Sequence, residues 1–390
     1  MNRVLFVSNG HGEAAIAQRL ALEVRRTVPE AEFDHVALVG SPRSEIMDDV
    51  GPRRSMPSGG LIAMGNARNL ARDLRAGLVR LTWAQARFLR NVRGRYAAAV
   101  CVGDVYALAM TLLARAPTIF VGSAKSVEVA PYGPVEERVL ARAQACFGRD
   151  ERTATALRSH RINAEAANAI VDLFAPTHDP RVEAAVTGFS PALALFPGSR
   201  ESAYDDAEFL LRVTGELAEQ RKGLGAVFSI AGGLDADRFA RRAADAGWEV
   251  RLSHDECVPF ALRRGGRDVV RAWTGPLGPL LGRVVLVLGQ AGTANEGAAA
   301  AGVPVVAFER DGDRRARWYR QRQRGLLGEA LAVVPGRLDA AVQAVNAILD
   351  DAPRRRRMGE TGRTRMGPQG GARRIALRVA SLMEQSRCGV

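Results

Sequence analysis

The residues best suited to chemistry form a small-residue turn, Gly289-Gln290-Ala291-Gly292-Thr293, directly after the apolar run 284–288. The Ala-rich segment behind the turn has the spacing of one buried helix, so the sequence predicts a strand, a glycine turn and a helix. Glycine lets backbone N–H groups approach a ligand, and a helix start offers unpaired donors and partial positive charge. The sequence therefore predicts that Gly292 and Thr293 bind a phosphate group.

Glu296 lies three residues after Thr293, and two interpretations of this pair are open. Thr293 can be the N-cap of the helix, with Glu296 closing a capping box onto its amide. Alternatively, the Glu296 carboxylate accepts the hydroxyl groups of a ribose.

A second turn, Pro197-Gly198-Ser199-Arg200, follows the apolar run 192–196. Gly198 allows close approach of the backbone to an anion, Ser199 can cap a helix or donate, and Arg200 offers a bidentate fork to phosphate. A surface salt bridge is the alternative role of Arg200.

Asp104 and His11 are the candidate acid–base residues. Asp104 follows a predicted strand at 97–102, and His11 lies in the turn after the apolar run 4–7. Ligands of open α/β sheets bind at such strand ends. Helix capping is the alternative for Asp104, and an exposed turn position is the alternative for His11. The turn around His11 lacks the third glycine of a dinucleotide fingerprint, which disfavours a nicotinamide-dependent dehydrogenase.

Three segments together resemble lipid-A-disaccharide synthase, a glycosyltransferase of the GT-B class. They are GQAGTANEGAAAAGVPVVAF at 289–308, LFPGSRES at 195–202 and VGDVYALA at 102–109, the last of which lacks that family's usual Asp-Ala-Pro-Asp. The resemblance implies an inverting, metal-independent transfer of a sugar from a UDP-sugar to a hydroxyl of a lipid-linked acceptor in lipid A biosynthesis. It also implies that Asp104 or His11 is the base and that the UDP-sugar is a substrate, with no separate cofactor.

Two alternatives belong to other classes. In the UDP-N-acetylglucosamine 2-epimerases, VGDVYALA would correspond to a Gly-Asp-Thr segment, but that family's paired glycines and double glutamate after the donor turn are absent here. A non-catalytic protein that binds membranes or nucleic acid through its positive charge is the other alternative.

The fold class predicted is α/β with GT-B architecture, in which two doubly wound Rossmann-like domains face a cleft. We expect an acceptor domain at 1–178, a nucleotide-sugar donor domain at 192–365, and a terminal helix at 366–390 that packs back on the first domain. The length of 390 residues suits two domains. Four cysteines without metal-ligand spacing predict no metal site.

The net charge is +13, and all but two of the 55 basic residues are arginine. Arginines alternate with large apolar residues at helical spacing over 61–95. This pattern suits either core-facing helices with a solvated face or a basic surface that lies on anionic lipid. With no long apolar run, the sequence predicts a cytoplasmic protein with peripheral contact to the inner membrane face. The lack of aromatic stacking clusters disfavours nucleic acid as a partner.

Overall fold

The computed structural model describes residues 2–40, 44–54, 74–123, 125–309 and 314–388. By its internal contacts the chain divides into two units. Unit 1 comprises Met1–Leu173 with Pro368–Val390, and unit 2 comprises Phe174–Gly367.

Unit 1 is built on a seven-stranded parallel sheet with the order β3-β2-β1-β4-β5-β6-β7. Its strands are β1 (Arg3–Ser8), β2 (Glu32–Ala37), β3 (Asp48–Asp49), β4 (Ala98–Val102), β5 (Thr118–Gly122), β6 (Ala145–Gly148) and β7 (Ala164–Ala166). The intervening helices are α1 (His11–Thr27), α2 (Leu78–Asn91), α3 (Val105–Thr111), α4 (Pro134–Leu140), α5 (Glu151–Ser159) and α6 (Ala169–Leu173). Strands β4, β5 and β6 are buried along their whole length, as expected for parallel strands covered on both faces.

Unit 2 is built on an eight-stranded sheet with the order β10-β11-β12-β9-β8-β13-β14-β15. Its helices are α7 (Pro180–Val186), α8 (Ala203–Gln220), α9 (Ala236–Asp245), α10 (Leu277–Leu281), α11 (Thr293–Ala301), α12 (Arg314–Leu327), α13 (Leu338–Asp350) and α14 (Ala352–Met366). Its strands are β8 (Ala192–Phe196), β9 (Gly225–Ser229), β10 (Glu249–Leu252), β11 (Phe260–Arg264), β12 (Arg267–Trp273), β13 (Leu286–Gly289), β14 (Val305–Glu309) and β15 (Leu331–Pro335).

The sequence reading missed β11, which forms an antiparallel hairpin with β12. Gly265 and Gly266 connect the two strands with φ angles of +55° and +73°, the conformation of a two-residue hairpin turn. A Gly-Gly pair between two apolar runs is the signal that would have identified it.

The last helix of the described chain, α15 (Gly371–Cys388), packs on α1 within unit 1. Asp172 fixes its start, because its two carboxylate oxygens accept the amides of Gly370 (2.6 Å) and Ala372 (2.7 Å). Ile375, Val379 and Met383 bury the apolar face of the helix.

Two doubly wound Rossmann-like sheets and the returning terminal helix confirm the predicted fold class. A large apolar cluster lies in each unit, around Leu5 and Phe120 in unit 1 and around Leu195 and Phe228 in unit 2. Part of the arginine-rich stretch predicted as helical, residues 61–73, lies outside the described residues. No helix in the described ranges is both long and apolar enough to cross a bilayer.

Candidate functional site

In unit 1, the carboxyl ends of β1 and β4 meet at the centre of the sheet, where Ser8 is paired with Val102. Chain connections leave these two strands in opposite directions, so a crevice forms outside their ends. Asp104 follows β4 and caps α3, since its Oδ1 accepts the amide of Ala107 at 2.9 Å. Its Oδ2 accepts Nδ2 of Asn9 at 3.0 Å. The expected capping role of Asp104 is thus present, and the carboxylate also links the β1 turn to the β4 turn.

His11 is the first residue of α1 and is exposed. Its ring lies against Gly40, where an added Cβ atom would be 3.2 Å from Cε1 of the imidazole. His11 and Asp104 follow neighbouring strands at the same sheet edge, and Asn9, two residues before His11, is bonded to Asp104.

A buried polar chain beside this edge was not predicted. Ser8 Oγ and His35 Nε2 are 2.8 Å apart, and His35 Nδ1 is 3.4 Å from Asp49 Oδ1. Burial lowers the pKa of His35, against the opposing effect of Asp49. Ser8 is fully buried and His35 is 1% exposed. These three polar side chains therefore hold β1, β2 and β3 together and do not face a substrate.

In unit 2, β8 and β13 are the central pair, and Phe196 is paired with Gly289. The amide of Gln290 also donates to the carbonyl of Phe196 at 2.8 Å. Gly198 has a φ of +118°, which an L-amino acid rarely adopts. The predicted residues Gly198, Ser199 and Arg200 therefore follow β8 at the same sheet edge where Gly292, Thr293 and Glu296 follow β13.

The start of α11 differs from the expected capping box. Gly292 is the N-cap, Thr293 is the first helical residue, and no side chain caps the helix. The interpretation of Thr293 as N-cap is wrong. The N-cap residue is a glycine, so it has no side chain that could accept the free amides of the first turn.

Beneath this turn, side chains of α12 hold three successive carbonyl groups. Nη2 of Arg320 donates to the carbonyl of Gln290 at 2.7 Å. Nε2 of Gln323 donates to the carbonyls of Ala291 (3.1 Å) and Gly292 (3.2 Å). Nη1 of Arg320 also donates to Oε1 of Gln323 at 3.0 Å, which fixes the two side chains against each other. We call Arg320 and Gln323 the carbonyl clamp.

The carbonyl clamp determines where the amides of the turn point. In a trans peptide the N–H of each residue points away from the preceding carbonyl. Because the carbonyls of Gln290, Ala291 and Gly292 point toward the clamp, the N–H groups of Ala291, Gly292 and Thr293 point to the opposite side. The turn therefore presents three adjacent donors at a helix N-terminus, a geometry that binds anions.

Two further residues shape the turn. Asn295, fully buried, donates through Nδ2 to the carbonyl of Gly289 (3.0 Å) and to Oε1 of Gln323 (3.3 Å). An added Cβ atom at Gly289 would be 2.0 Å from Oδ1 of Asn295, and one at Gly292 would be 2.5 Å from Oη of Tyr319. Glycine is therefore required at position 289 by the packing of Asn295.

The sequence analysis did not find the carbonyl clamp. The arginine-dense stretch 314–324 has the composition of a solvated helix, yet Arg320 is 6% exposed and Gln323 is 3% exposed. The buried positions 320, 323 and 327 have helical spacing, and that spacing is the available signal. It was missed because hydrophobic periodicity does not count arginine and glutamine as inward-facing residues.

Within the described ranges, no three His, Cys, Asp or Glu residues are grouped so that they could hold a metal ion. The predicted absence of a metal and of a separate cofactor stays a prediction.

Comparisons with known proteins give similarity in structure alone. No protein-family model matches the chain, and no curated protein matches it by sequence. UDP-GlcNAc 2-epimerase from Neisseria meningitidis, bound to UDP-GlcNAc, is similar with a TM-score of 0.60 and 13% identity, over 97% of this chain and 100% of that one. The Methanocaldococcus jannaschii enzyme of the same name, in complex with UDP-GlcNAc and UDP, has a TM-score of 0.54 and 13% identity, over 97% of this chain and 99% of that one. S. aureus MnaA with UDP has a TM-score of 0.59 and 12% identity, over 98% of this chain and 97% of that one.

These matches show the GT-B-like fold, and they correct the functional expectation. The assignment to lipid-A-disaccharide synthase is wrong, and with it the expected glycosyltransferase reaction and the role in lipid A biosynthesis, because the Neisseria meningitidis and Methanocaldococcus jannaschii structures, similar over nearly the whole chain, are UDP-GlcNAc 2-epimerases. The physical reason is that the motifs used, two glycine turns at helix starts and one arginine, are what a unit of this fold needs to bind a diphosphate. Such motifs are typical of diphosphate binding and do not distinguish sugar transfer from epimerisation.

Proposed function

We propose that unit 2 binds the diphosphate of a UDP-sugar on the turn between β13 and α11. The observation that carries this proposal is the carbonyl clamp, which turns three successive amides to one side of a helix start. A diphosphate is a compact anion with several acceptor oxygens, so it matches three adjacent donors in number and charge. The buried guanidinium of Arg320 behind the turn adds positive charge close to the same place.

The neighbouring residues have complementary roles in this proposal. Arg200, exposed on the adjacent β8 turn, offers a second set of donors to the phosphates, while Gly198 and Ser199 bring the backbone close. Glu296, one turn into α11, accepts the ribose hydroxyls.

As the reaction we propose epimerisation at C2 of a UDP-N-acetylhexosamine. The fold shared with UDP-GlcNAc 2-epimerases over nearly the whole chain supports this reaction, and the geometry of the turn is compatible with a departing diphosphate. The C2 proton of an intact sugar is not acidic. Its removal becomes feasible when the C2–H electron pair forms a C1=C2 bond and the C1–O electron pair leaves with UDP. Return of UDP to C1 and of a proton to the opposite face of C2 completes the inversion. The turn amides stabilise the departing diphosphate in both directions.

Asp104 and His11 of unit 1 are the proposed acid–base residues. Inversion needs one group that removes a proton from C2 and one that returns a proton to the other face. A carboxylate and an imidazole at neighbouring strand ends supply both functions. The donor turn lacks the paired glycines and double glutamate of the epimerases, so several UDP-sugars are candidate substrates.

Proton NMR with UDP-GlcNAc in deuterated water tests the reaction. We expect loss of the C2 proton signal, incorporation of deuterium at C2 and formation of UDP-N-acetylmannosamine. Other UDP-sugars with and without a 2-acetamido group serve as the comparison panel. Intact UDP-GlcNAc with no deuterium in any sugar would exclude epimerisation. Calorimetric titration with UDP then tests the nucleotide site separately, because UDP binding does not depend on catalysis.

Two other predictions are independent of this site. The cytoplasmic location stays a prediction. The predicted contact with an anionic membrane concerns helix α2 of unit 1, which carries none of the proposed site residues.

A further inference from the structure

Helix α2 has one buried face and one exposed face. The buried face consists of Leu78, Leu81, Gln85 and Leu89. The exposed face carries Val79, Arg80, Trp83, Arg87 and Arg90. Val79 is 66% exposed and Trp83 is 60% exposed, and at a spacing of four residues the two side chains are neighbours on the helix surface. Since Val79, Trp83, Arg87 and Arg90 are separated by four, four and three positions, they form one stripe along the helix.

The rotation of α2 is fixed by contacts on its inner side. Nε2 of Gln85, a buried residue, donates to the carbonyls of Leu38 (3.1 Å) and Pro52 (3.2 Å). The ring of Phe88 lies against Gly51, where an added Cβ atom would be 3.0 Å away. These contacts hold the stripe of Val79 and Trp83 toward the outside.

The exposed face is strongly and uniformly positive. Residues 74–95 include six arginines and no acidic residue. The guanidinium of Arg87 lies 5.5 Å from the ring centroid of Trp83, which leaves the indole beside a cation. Leu74, four residues before the helix, is also exposed, at 46%.

We infer that this face of α2 binds an anionic lipid surface. An exposed Trp and Val between arginines is the composition of a helix that lies in the membrane interface, with apolar side chains in the acyl boundary and cations at the headgroups. A second copy of the chain is a poorer occupant, because a two-fold contact through this face would place arginines against arginines. Nucleic acid would satisfy the arginines and Trp83, but Leu74 and Val79 offer it no stacking surface. The inference does not depend on the proposed nucleotide site.

Flotation of the full chain with vesicles tests the inference. The vesicles contain phosphatidylcholine alone or phosphatidylcholine with about 30% phosphatidylglycerol, a fraction that gives a negative surface potential. We expect binding to the anionic vesicles only, with partition that falls as salt is raised. Replacing Val79 and Trp83 by Ser should lower the partition coefficient about tenfold or more. Replacing Arg80, Arg87 and Arg90 by Gln should lower it by a similar factor or more.

Trp318→Ser is the matched control. Trp318 is 46% exposed on α12, and the guanidinium of Arg322 lies 5.4 Å from its ring, so the variant removes a similar Trp–Arg pair from another helix. It should leave partition unchanged. All replaced residues are exposed, and a thermal melt checks that each variant is folded. Absence of binding to anionic vesicles would overturn the inference, as would an equal loss of partition in Trp318→Ser. Binding to single-stranded RNA without binding to vesicles would also overturn it.

Discussion

Nη2 of Arg320 donates to the carbonyl oxygen of Gln290 across 2.7 Å, although the two residues are 30 positions apart in the chain. Arg320 is buried and belongs to a helix that sequence patterning places on the surface. Through this bond and those of Gln323, helix α12 determines the direction of the amides on the turn before α11. The anion binding proposed for this turn therefore depends on a different helix.

Removing the guanidinium should weaken both the fold and the nucleotide site. In Arg320→Met a buried carbonyl loses its donor, so we expect a loss of about 1–3 kcal/mol in the free energy of unfolding. UDP affinity should fall about tenfold, because the turn no longer has one fixed orientation. Urea unfolding and calorimetric titration measure the two effects. Arg324→Met, an exposed position on the same helix, is the matched control. Unchanged UDP affinity in Arg320→Met would show that UDP binding does not depend on the carbonyl clamp.

A side chain at position 292 is excluded by the nearby Tyr319 hydroxyl group and not by the backbone angle of Gly292. Its φ is −89°, yet an added Cβ atom would be 2.5 Å from the Tyr319 hydroxyl oxygen and 3.8 Å from Cζ. Gly292→Ala should therefore destabilise unit 2 by about 1–3 kcal/mol. A double-mutant cycle with Tyr319→Phe, followed by thermal or urea unfolding, should recover most of that loss. Additive effects of the two replacements would show that the contact with the hydroxyl is not the cause.

Asp104 has a capping role that can be separated from a chemical one. Asp104→Asn keeps an oxygen acceptor for the Ala107 amide and removes the carboxylate. It places an NH2 group where Oδ2 accepts Nδ2 of Asn9, and the Asn9 amide can turn to offer its oxygen instead. We expect stability to stay within about 1 kcal/mol of the parent. C2 exchange of UDP-GlcNAc should fall about a hundredfold or more, with UDP binding retained. Asp150 is the matched control, since it caps α5 after β6 through the Thr153 amide at 2.7 Å. Equal exchange rates in Asp104→Asn and Asp150→Asn would remove Asp104 from the reaction.

The buried His35 predicts a pH dependence of stability. Burial lowers its pKa in the folded protein, whereas the unfolded chain binds the proton near the ordinary value of about 6.5. Below that pH the unfolded state binds more protons than the folded state, so stability falls as the pH decreases through this window. The slope from one such group is at most about 1.4 kcal/mol per pH unit. Urea unfolding between pH 7.5 and 5 should therefore show a smaller decrease in His35→Gln than in the parent. Parallel curves for the two proteins would contradict this assignment.

The elements that carry the site were predictable because their signals are local. An apolar run, a glycine and an Ala-rich helix identify β13, the turn and α11, and the same logic identifies β8 with Gly198. The pairing of Phe196 with Gly289 then follows from the doubly wound topology. The fold class and the positions of Asp104 and His11 at neighbouring strand ends could be predicted for the same reason.

The residues beneath the turn could not be found in this way. Arg320 and Gln323 bind backbone carbonyls about 30 positions away. Every residue has a backbone carbonyl, so the pattern of side chains in the sequence does not reveal which carbonyl is bound. The reaction class was also outside the reach of the motifs, since glycine turns and one arginine describe diphosphate binding in general. The N-cap of α11 was misplaced by one residue, because Thr is a better capping residue than Gly and the sequence offers both.

A crystal structure of the chain with UDP tests the proposed nucleotide site most directly. We expect diphosphate oxygens within about 3.2 Å of the amide nitrogens of Gly292 and Thr293, with Gln323 still bonded to the carbonyls behind the turn. UDP bound elsewhere, or bound with those carbonyls turned toward the phosphates, would contradict the proposal.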